Sequence, residues 1–463
     1  MKGDFFLFMI KISSQVSFSG LSIIINKKNY PINYPIPIWL SLSNDLKEVF
    51  SESVAFALTW QLPITKKDIA NYNFAHPIVE PIFFELLIYS IPMSILVNNG
   101  RTKTSSLLKS WYNSNFMTTF RSPNRHIENV PVPLNKNASL FFSFGKDSLI
   151  SYALLREMKI DTNLFFIEEP NSKSENFHKG LLKKRFEKEF HQTINFMKLP
   201  VGSLREMSDN YLGWDVILAQ YCLLIIPYLF YYRSRYVFFG NELSCTDKTE
   251  DDEGYYVNPV FEQSTKGLNL INLLLSLFGL TTATGSLIGG INEIFIIYIL
   301  FSRYPEIAKF QMSCISESKK NKQNRWCGEC EKCARMYIFM TAFGINPSLA
   351  GFDENMLSSV KERHFVIFGK IDDSSAYGSS GLGKNEQQLA FYLAYKKGAK
   401  GELIDKFVNK YLKEAILKLS SSIKFFFGIH INSTLPDELK MSLDQILKRE
   451  QKNVFSYIKK LTD

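Results

Sequence analysis

The chain has 463 residues, 46% of them hydrophobic and 21% charged, with a formal net charge of +9. That is the composition of a globular protein of two or three domains, and it excludes a disordered or fibrous chain. The basic residues are scattered with no dense arginine run, so the charge suits a small anionic ligand such as a nucleotide and carries no specific nucleic-acid signal.

Residues 1–130 are expected to form an N-terminal α+β domain. Ile23-Ile24-Ile25 and the segment Tyr30–Pro37 read as strands and turns. The apolar patch Phe5–Ile10 is followed by Lys11 and shows no cleavage site. The apolar run Ile82–Tyr89, within Pro77–Leu96, predicts a core helix. Residues 121–137, with Pro123, Pro131 and Pro133, read as a linker.

Strand patterns follow at Ala138–Phe142, Thr162–Ile167, Thr193–Lys198 and Tyr236–Phe239, alternating with helical patterns over 148–159, 174–190 and 214–232. The alternation predicts an α/β domain over 138–350, with a parallel sheet covered on both faces. Val216–Tyr232 is the most apolar stretch, but Gln220 and Pro227 interrupt it and it is short for a membrane span. It is expected to be a buried helix, with no membrane partner and a cytoplasmic location. Ligands of such sheets bind beyond the carboxyl ends of the strands. The turn Ser143–Ser148, Glu168-Glu169 and Gly240-Asn241-Glu242 converge there.

The turn Ser143-Phe144-Gly145-Lys146-Asp147-Ser148 stands between a strand and a helix. Free backbone N–H groups at a helix N-terminus bind phosphate, and Gly145 lets the backbone approach an anion closely. Ser143 and Ser148 can donate hydroxyl hydrogen bonds to phosphate oxygens. Asp147 can hold a metal ion or cap the helix. The order of residues is not that of the Walker loop.

Residues 270–310 read as mainly helical, broken at Gly289-Gly290. Cys314 is then followed by Cys327, Cys330 and Cys333 in Cys-x-x-Cys spacing. Four thiolates complete a tetrahedral zinc site with no open position, hence a structural one; an iron–sulfur cluster or free thiols are the alternatives. Cys222 reads as core packing and Cys245 as non-catalytic. Residues 351–463 are expected to be mostly helical, at 386–397, 402–420 and 436–460, with a Gly/Ser-rich loop over Asp372–Lys384.

The hexapeptide Ser143–Ser148 resembles the Ser-Gly-Gly-x-Asp-Ser signature of the PP-loop ATP pyrophosphatases, with Phe144 in place of the first glycine. Those enzymes split ATP between the α- and β-phosphates and transfer AMP to a substrate oxygen. The resemblance implies a Rossmann-like sheet of PP-loop (HUP) type that uses ATP and Mg2+. Ser143, Gly145, Asp147 and Ser148 would bind the pyrophosphate; Lys146 would join them or stand solvated.

Joined to the cysteine cluster, the loop is similar to that of 7-cyano-7-deazaguanine synthase, a shorter chain that adenylates a carboxylate and then adds ammonia. Three stretches look more like the UDP-N-acetylmuramoyl-L-alanyl-L-glutamate epimerase family. One is Phe142–Ser148. Another is Gly240–Ser244 with Gly254 and Gln263-Ser264. The third runs from Asn292-Glu293 through Tyr304-Pro305 and Ser313-Cys314 to Arg325–Cys333. Asn258–Phe261 departs from that family, where a histidine-containing stretch is expected. This resemblance implies a UDP-linked peptide carboxylate as substrate. It makes Glu242 and Glu293 candidates for metal binding or proton transfer, with Asn241 and Ser244 orienting the substrate. A nucleotide-binding module without catalysis is the rival reading, and Phe144 is its support.

Overall fold

The computed structural model describes residues 9–97, 102–125, 133–207, 212–318, 320–369 and 381–462. The first sheet begins with two hairpins. β1 (Met9–Ser17) and β2 (Gly20–Ile25) are antiparallel, and β2 turns into β3 (Lys28–Asn33) through Asn26-Lys27. Both turn residues have positive φ, 45° and 73°, which matches the twist of the flanking strands. Asn26 also accepts the Lys11 N–H at 2.9 Å. β4 (Ile69–Ala75) and β5 (Thr118–Ser122) add in parallel, giving the order β3-β2-β1-β4-β5. The helix Asn44–Ala57 packs on β1 and on the helix Glu80–Val97, the core helix expected from the apolar run.

The second sheet holds the four strands expected, with bounds shifted by a few residues: β6 (Asn135–Phe141), β7 (Asp161–Glu168), β8 (Ile194–Lys198) and β9 (Ser234–Phe238). A small antiparallel pair, β10 (Thr249–Glu250) and β11 (Tyr256–Val257), stands apart from it. A further strand, β12 (Ala283–Gly285), lies within the stretch read as mainly helical. The sheet is parallel, in the order β12-β9-β6-β7-β8. Its strand order reverses direction between β6 and β9. Crevices for ligands open at such reversals.

Alternate side chains of a strand face opposite sides of the sheet. Leu140, Phe142, Leu164 and Phe166 enter one apolar core, shared with the helices Lys146–Glu157, Glu293–Arg303 and Glu331–Ala342 and with the C-terminal helices. Phe165, Ile167, Val237 and Phe239 enter the other, which continues into the first sheet. The apolar stretch 216–232 forms two helices, Ile217–Leu224 and Ile226–Tyr232, where one was expected. Pro227 lacks an N–H and is tolerated only in a first turn, so the helix restarts there. Among the described residues no helix is long and apolar enough to cross a membrane.

The C-terminal helices are Gly381–Lys396, Glu402–Lys410, Leu412–Phe426 and Asp437–Thr462. The helix expected over 402–420 thus divides at Tyr411. Of the loop expected over 372–384, residues 372–380 lie outside the described residues, and the remainder begins a helix. The linker expected over 121–137 gives its ends to β5 and β6, and residues 126–132 lie outside the described residues.

Candidate functional site

A cavity of about 810 Å³ opens where the strand order reverses, walled by Ser143, Gly145, Lys146, Asp147, Gly240 and Asn241 among others. Phe144 faces away from it. Its backbone is left-handed, with φ of 59°, and its ring is fully buried, 4.9 Å from the Phe142 ring and 5.9 Å from the Phe186 ring. The phenyl group therefore leaves the turn open. A non-glycine residue in this conformation costs about 1–2 kcal/mol, less than a buried aromatic ring contributes, about 3–5 kcal/mol on truncation. Phe144→Gly is expected to lower stability by about 2 kcal/mol, read by urea titration.

Gly145 caps the helix Lys146–Glu157 with φ −67° and ψ 157°, a conformation open to any residue. Its bare Cα matters for space: a Cβ would lie 3.3 Å from Ser143 Oγ and 3.7 Å from Ser313 Oγ. Gly145 has no side chain to cap this helix, the first-turn N–H groups of a helix have no intrahelical partner, and Gly145, Lys146, Asp147 and Ser148 all line the cavity. At Gly240 a Cβ would lie 2.6 Å from Asp147 Cβ. The end of β9 thus packs directly on the first turn of the helix and brings Asn241 and Glu242 beside Asp147.

The two serines of the turn differ. The Ser148 hydroxyl donates to the Gly145 carbonyl at 3.0 Å and accepts the Ser143 N–H at 3.2 Å, so it closes the turn. The exposed Ser143 Oγ accepts the Gly145 N–H at 3.4 Å, and its own proton is left to donate.

Lys146 is buried, so the solvated alternative is excluded. Its Nζ lies 2.7 Å from both Asp147 carboxylate oxygens and 2.8 Å from Glu293 Oε1. Burial alone would lower its pKa. Asp147, Glu293 and Glu242 outweigh burial and hold the ammonium charged, above the usual lysine range. Burial pushes Asp147 up despite Lys146. Glu293 is also buried, but Arg335, 3.2 Å from its Oε2, and Lys146 hold it below the usual carboxylate range. Glu386 accepts the Ile294 N–H at 2.9 Å; burial, then the Glu293 charge, push its carboxyl well up.

Asn241 and Glu293 stand on the cavity wall. The Asn241 Nδ2 is buried and has no hydrogen-bond partner among the described residues. Glu242 is not on the wall: its buried carboxylate accepts the Ser244 N–H at 2.8 Å and bonds the Ser244 hydroxyl. Burial, then the neighbouring Glu293, push Glu242 from 4.5 up to about 7. Between those values the unfolded chain releases this proton and the folded chain keeps it, so stability falls as pH rises through that window. Glu242→Gln is expected to remove the fall, a relative gain of about 3 kcal/mol at pH 8 over pH 4 in chemical denaturation.

Several wall residues had no role assigned from the sequence, although Ser313 and Lys332 fall in the stretches quoted for the resemblance. Lys332, Arg335 and Met336 line the cavity. They follow Cys330 at helical spacing, which marks one face of a helix. Ser313 lines the cavity beside Cys314. At the far wall Glu169, anticipated at the end of β7, is buried and bonds Arg205 and the Tyr221 hydroxyl, the latter at 2.8 Å. The Arg205 guanidinium stands 4.9 Å from the Trp214 ring centre. Glu386 carries no sequence signal that separates it from any helical glutamate.

Cys314, Cys327, Cys330 and Cys333 come together, with their sulfur atoms all within 4.8 Å of one another. Cys333 Sγ lies 3.5 Å from Cys330 Sγ and 3.7 Å from Cys327 Sγ. A tetrahedral ion with zinc–sulfur bonds of about 2.3 Å sets sulfurs about 3.8 Å apart, so the cluster can hold a metal such as zinc. The knuckle is held from outside. Trp326 stacks on Phe352 at 4.3 Å and donates to the Ala350 carbonyl at 2.7 Å, and Lys361 Nζ donates to the Gly328 carbonyl at 2.7 Å. Of the other cysteines, Cys222 is buried among apolar side chains, which push its thiol up. Cys245 is buried against Gln263 Oε1 at 3.0 Å; burial, then the Glu242 charge, push it well up.

Compared with protein-family models, with curated proteins and with solved structures, the chain matches none of them.

Proposed function

We propose that this chain binds ATP in the large cavity, in a Rossmann-like domain of PP-loop type, and adenylates a substrate carboxylate with release of pyrophosphate. The most economical use of that chemistry, on the sequence resemblance, is epimerisation of the terminal L-Glu of UDP-N-acetylmuramoyl-L-alanyl-L-glutamate in the cytoplasm. One observation carries the reading: an uncapped helix N-terminus at bare Gly145 opens into the cavity beside Lys146, Lys332 and Arg335. Uncapped amides and clustered cations are what a polyphosphate requires. The volume falls in the range of about 300–1,000 Å³ typical of ligand cavities.

In this reading the amides of the turn and the Ser143 hydroxyl hold the phosphates. Lys332 and Arg335 offset charge that develops as pyrophosphate leaves. Ser148 keeps the turn closed. Mg2+, when bound, neutralises the departing pyrophosphate. Asp147 is the carboxylate of the turn that would hold it, and Lys146 would keep Glu293 as partner. A carboxylate oxygen attacks the α-phosphorus, and the bond to the β-phosphate oxygen breaks. The acyl-AMP has lost the carboxylate charge, so its α-hydrogen is acidic enough for a base to remove. Reprotonation from the other face inverts the centre. Water then attacks the acyl carbon, breaking its bond to the phosphate oxygen and releasing AMP and the free carboxylate. Asn241, on the wall, is the residue to orient the substrate. Glu293 is the wall carboxylate for proton transfer, and Glu242 acts behind it through their shared charge. The zinc is structural.

The test is incubation with ATP, Mg2+ and a panel of carboxylates in heavy water. AMP, pyrophosphate and deuterium at the glutamate α-carbon are the expected products. AMP without deuterium uptake would replace epimerisation by another use of the adenylate, such as nitrile formation on a carboxy-deazaguanine.

A further inference from the structure

Residues 428–436 join the last two helices without regular structure of their own. Buried Phe426 and Phe427 anchor this strap at one end and buried Leu435 at the other. Between the anchors the side chains alternate. Ile431 is 92% exposed and Ser433 is exposed, while Asn432 and Thr434 turn in toward residues 285–292.

The strap is bonded to that stretch along its length. The His430 N–H donates to the Gly290 carbonyl at 2.8 Å. Asn432 Nδ2 donates to the Ser286 carbonyl at 2.7 Å, and the Ser286 N–H donates to Thr434 Oγ1 at 3.3 Å. Asn432 Oδ1 accepts the Thr434 N–H at 3.2 Å and the Thr434 hydroxyl at 2.9 Å, which fixes the amide. The approach leaves no room for side chains beneath it. A Cβ at Gly285 would lie 2.2 Å from the Thr434 carbonyl oxygen, and one at Gly290 2.5 Å from that of His430. A Cβ at Gly289 would lie 2.9 Å from Asn432 Oδ1. These glycines form a bed for the strap.

The bed leads to the wall of the large cavity. The Ser286 hydroxyl donates to the Asn241 carbonyl at 2.6 Å, and the Leu243 N–H to the Ile291 carbonyl at 3.1 Å. Asn292 is the N-cap residue of the helix Glu293–Arg303, and its Nδ2 donates to the Phe425 carbonyl at 3.2 Å. The stretch thus holds Asn241 from one end and carries Glu293 at the other, and both line the cavity. We infer that Asn432 is a positioning residue of this site: it fixes residues 285–292 and through them sets Asn241 and Glu293 against the substrate. The role given to those two residues rests on the function proposed above. The C-terminal helices have other support, since Gly381–Lys396 packs on Glu331–Ala342, Leu412–Phe426 and Asp437–Thr462. Loss of the Asn432 bond should therefore loosen the bed without undocking them.

Asn432→Asp keeps the shape and the acceptor and removes the donor to Ser286. It is expected to lower kcat for pyrophosphate release by about tenfold or more. KM for ATP should change by less than about twofold, and the melting temperature by less than about 5 °C. Amide hydrogen exchange, read by mass spectrometry, should quicken in residues 240–243 and 285–294 and not in Gly381–Lys396. Gly289→Ala and Asn432→Ala should each act in the same direction. Their combination should lose less in log kcat than the two losses summed, because the shorter side chain makes room for the added methyl. Unchanged exchange in 285–294, faster exchange with kcat intact, additive losses, or a kcat that falls only as the melting temperature falls would overturn the assignment. A wild-type chain that releases no pyrophosphate would refute the proposed function instead, and the exchange comparison alone would then decide the strap.

Discussion

Gly145→Val is expected to reduce ATP-dependent pyrophosphate release at least a hundredfold while changing stability by less than about 1 kcal/mol. Few substitutions separate function from folding this cleanly. Gly145 has ordinary extended angles, and β-branched residues accept that backbone readily. The valine methyls would enter the space between Ser143 Oγ and Ser313 Oγ, where a Cβ already makes contacts of 3.3 and 3.7 Å. They would occupy the mouth through which an anion reaches the first-turn amides. Thermal melts and a pyrophosphate assay on the same preparation read the two sides. Full activity in this variant would remove the turn from the mechanism. Gly240→Ala makes the useful contrast. Its Cβ would lie 2.6 Å from Asp147 Cβ, so fold and activity should fall together.

The second large effect concerns the metal. Elemental analysis is expected to find one zinc per chain, and its removal by a chelator should abolish ATP-dependent stabilisation before the chain unfolds globally. The reason is adjacency. Ser313 precedes Cys314, Lys332 precedes Cys333, and Arg335 lies on the helix Glu331–Ala342, whose N-cap is Cys330 and whose first turn holds Cys333; Ser313, Lys332 and Arg335 all line the cavity. Metal binding energy in such sites is folding energy for the segment it ties. Without the ion these groups lose their fixed positions at the mouth, and Arg335 loses its register with Glu293. Cys330→Ser should act in the same direction, with a melting temperature lower by roughly 10 °C or more. Unaltered ATP response in metal-free protein would make the centre irrelevant to the cavity. Iron and sulfide in place of zinc would retain the structural role and change only the ion.

How much of this was legible from the sequence depends on whether a feature is local. The turn at 143–148 is a strand, a glycine and a helix in succession, and each has its own signature. The Cys-x-x-Cys spacing is equally local. The direction of the Phe144 ring is not, because the ring packs on Phe186, far along the chain, as well as on its neighbour Phe142. Lys146 looked like a surface lysine of a helix start; Glu293, far along the chain, turns it into a buried ion-pair partner. β12 is only Ala-Thr-Gly, which has neither length nor apolar alternation, and it exists because β9 offers an edge. The helix Asn44–Ala57 carries a readable signal, with Ser43 accepting the Leu46 N–H at 3.3 Å and apolar residues at helical spacing after it. The reading of residues 1–130 as an α+β domain, with strands and turns at Ile23–Ile25 and Tyr30–Pro37 and a core helix at Ile82–Tyr89, passes over it. The division of 217–232 is marked in the sequence by Pro227, which cannot supply the N–H that a continuous helix needs.

The most direct test of the account is the cleavage position in ATP. With ATP labelled separately at the α- and γ-phosphates, Mg2+ and a carboxylate substrate, the label should appear in AMP and in pyrophosphate, and Gly145→Val should yield neither. Formation of ADP and inorganic phosphate, or no stabilisation of the chain by ATP at all, would contradict it.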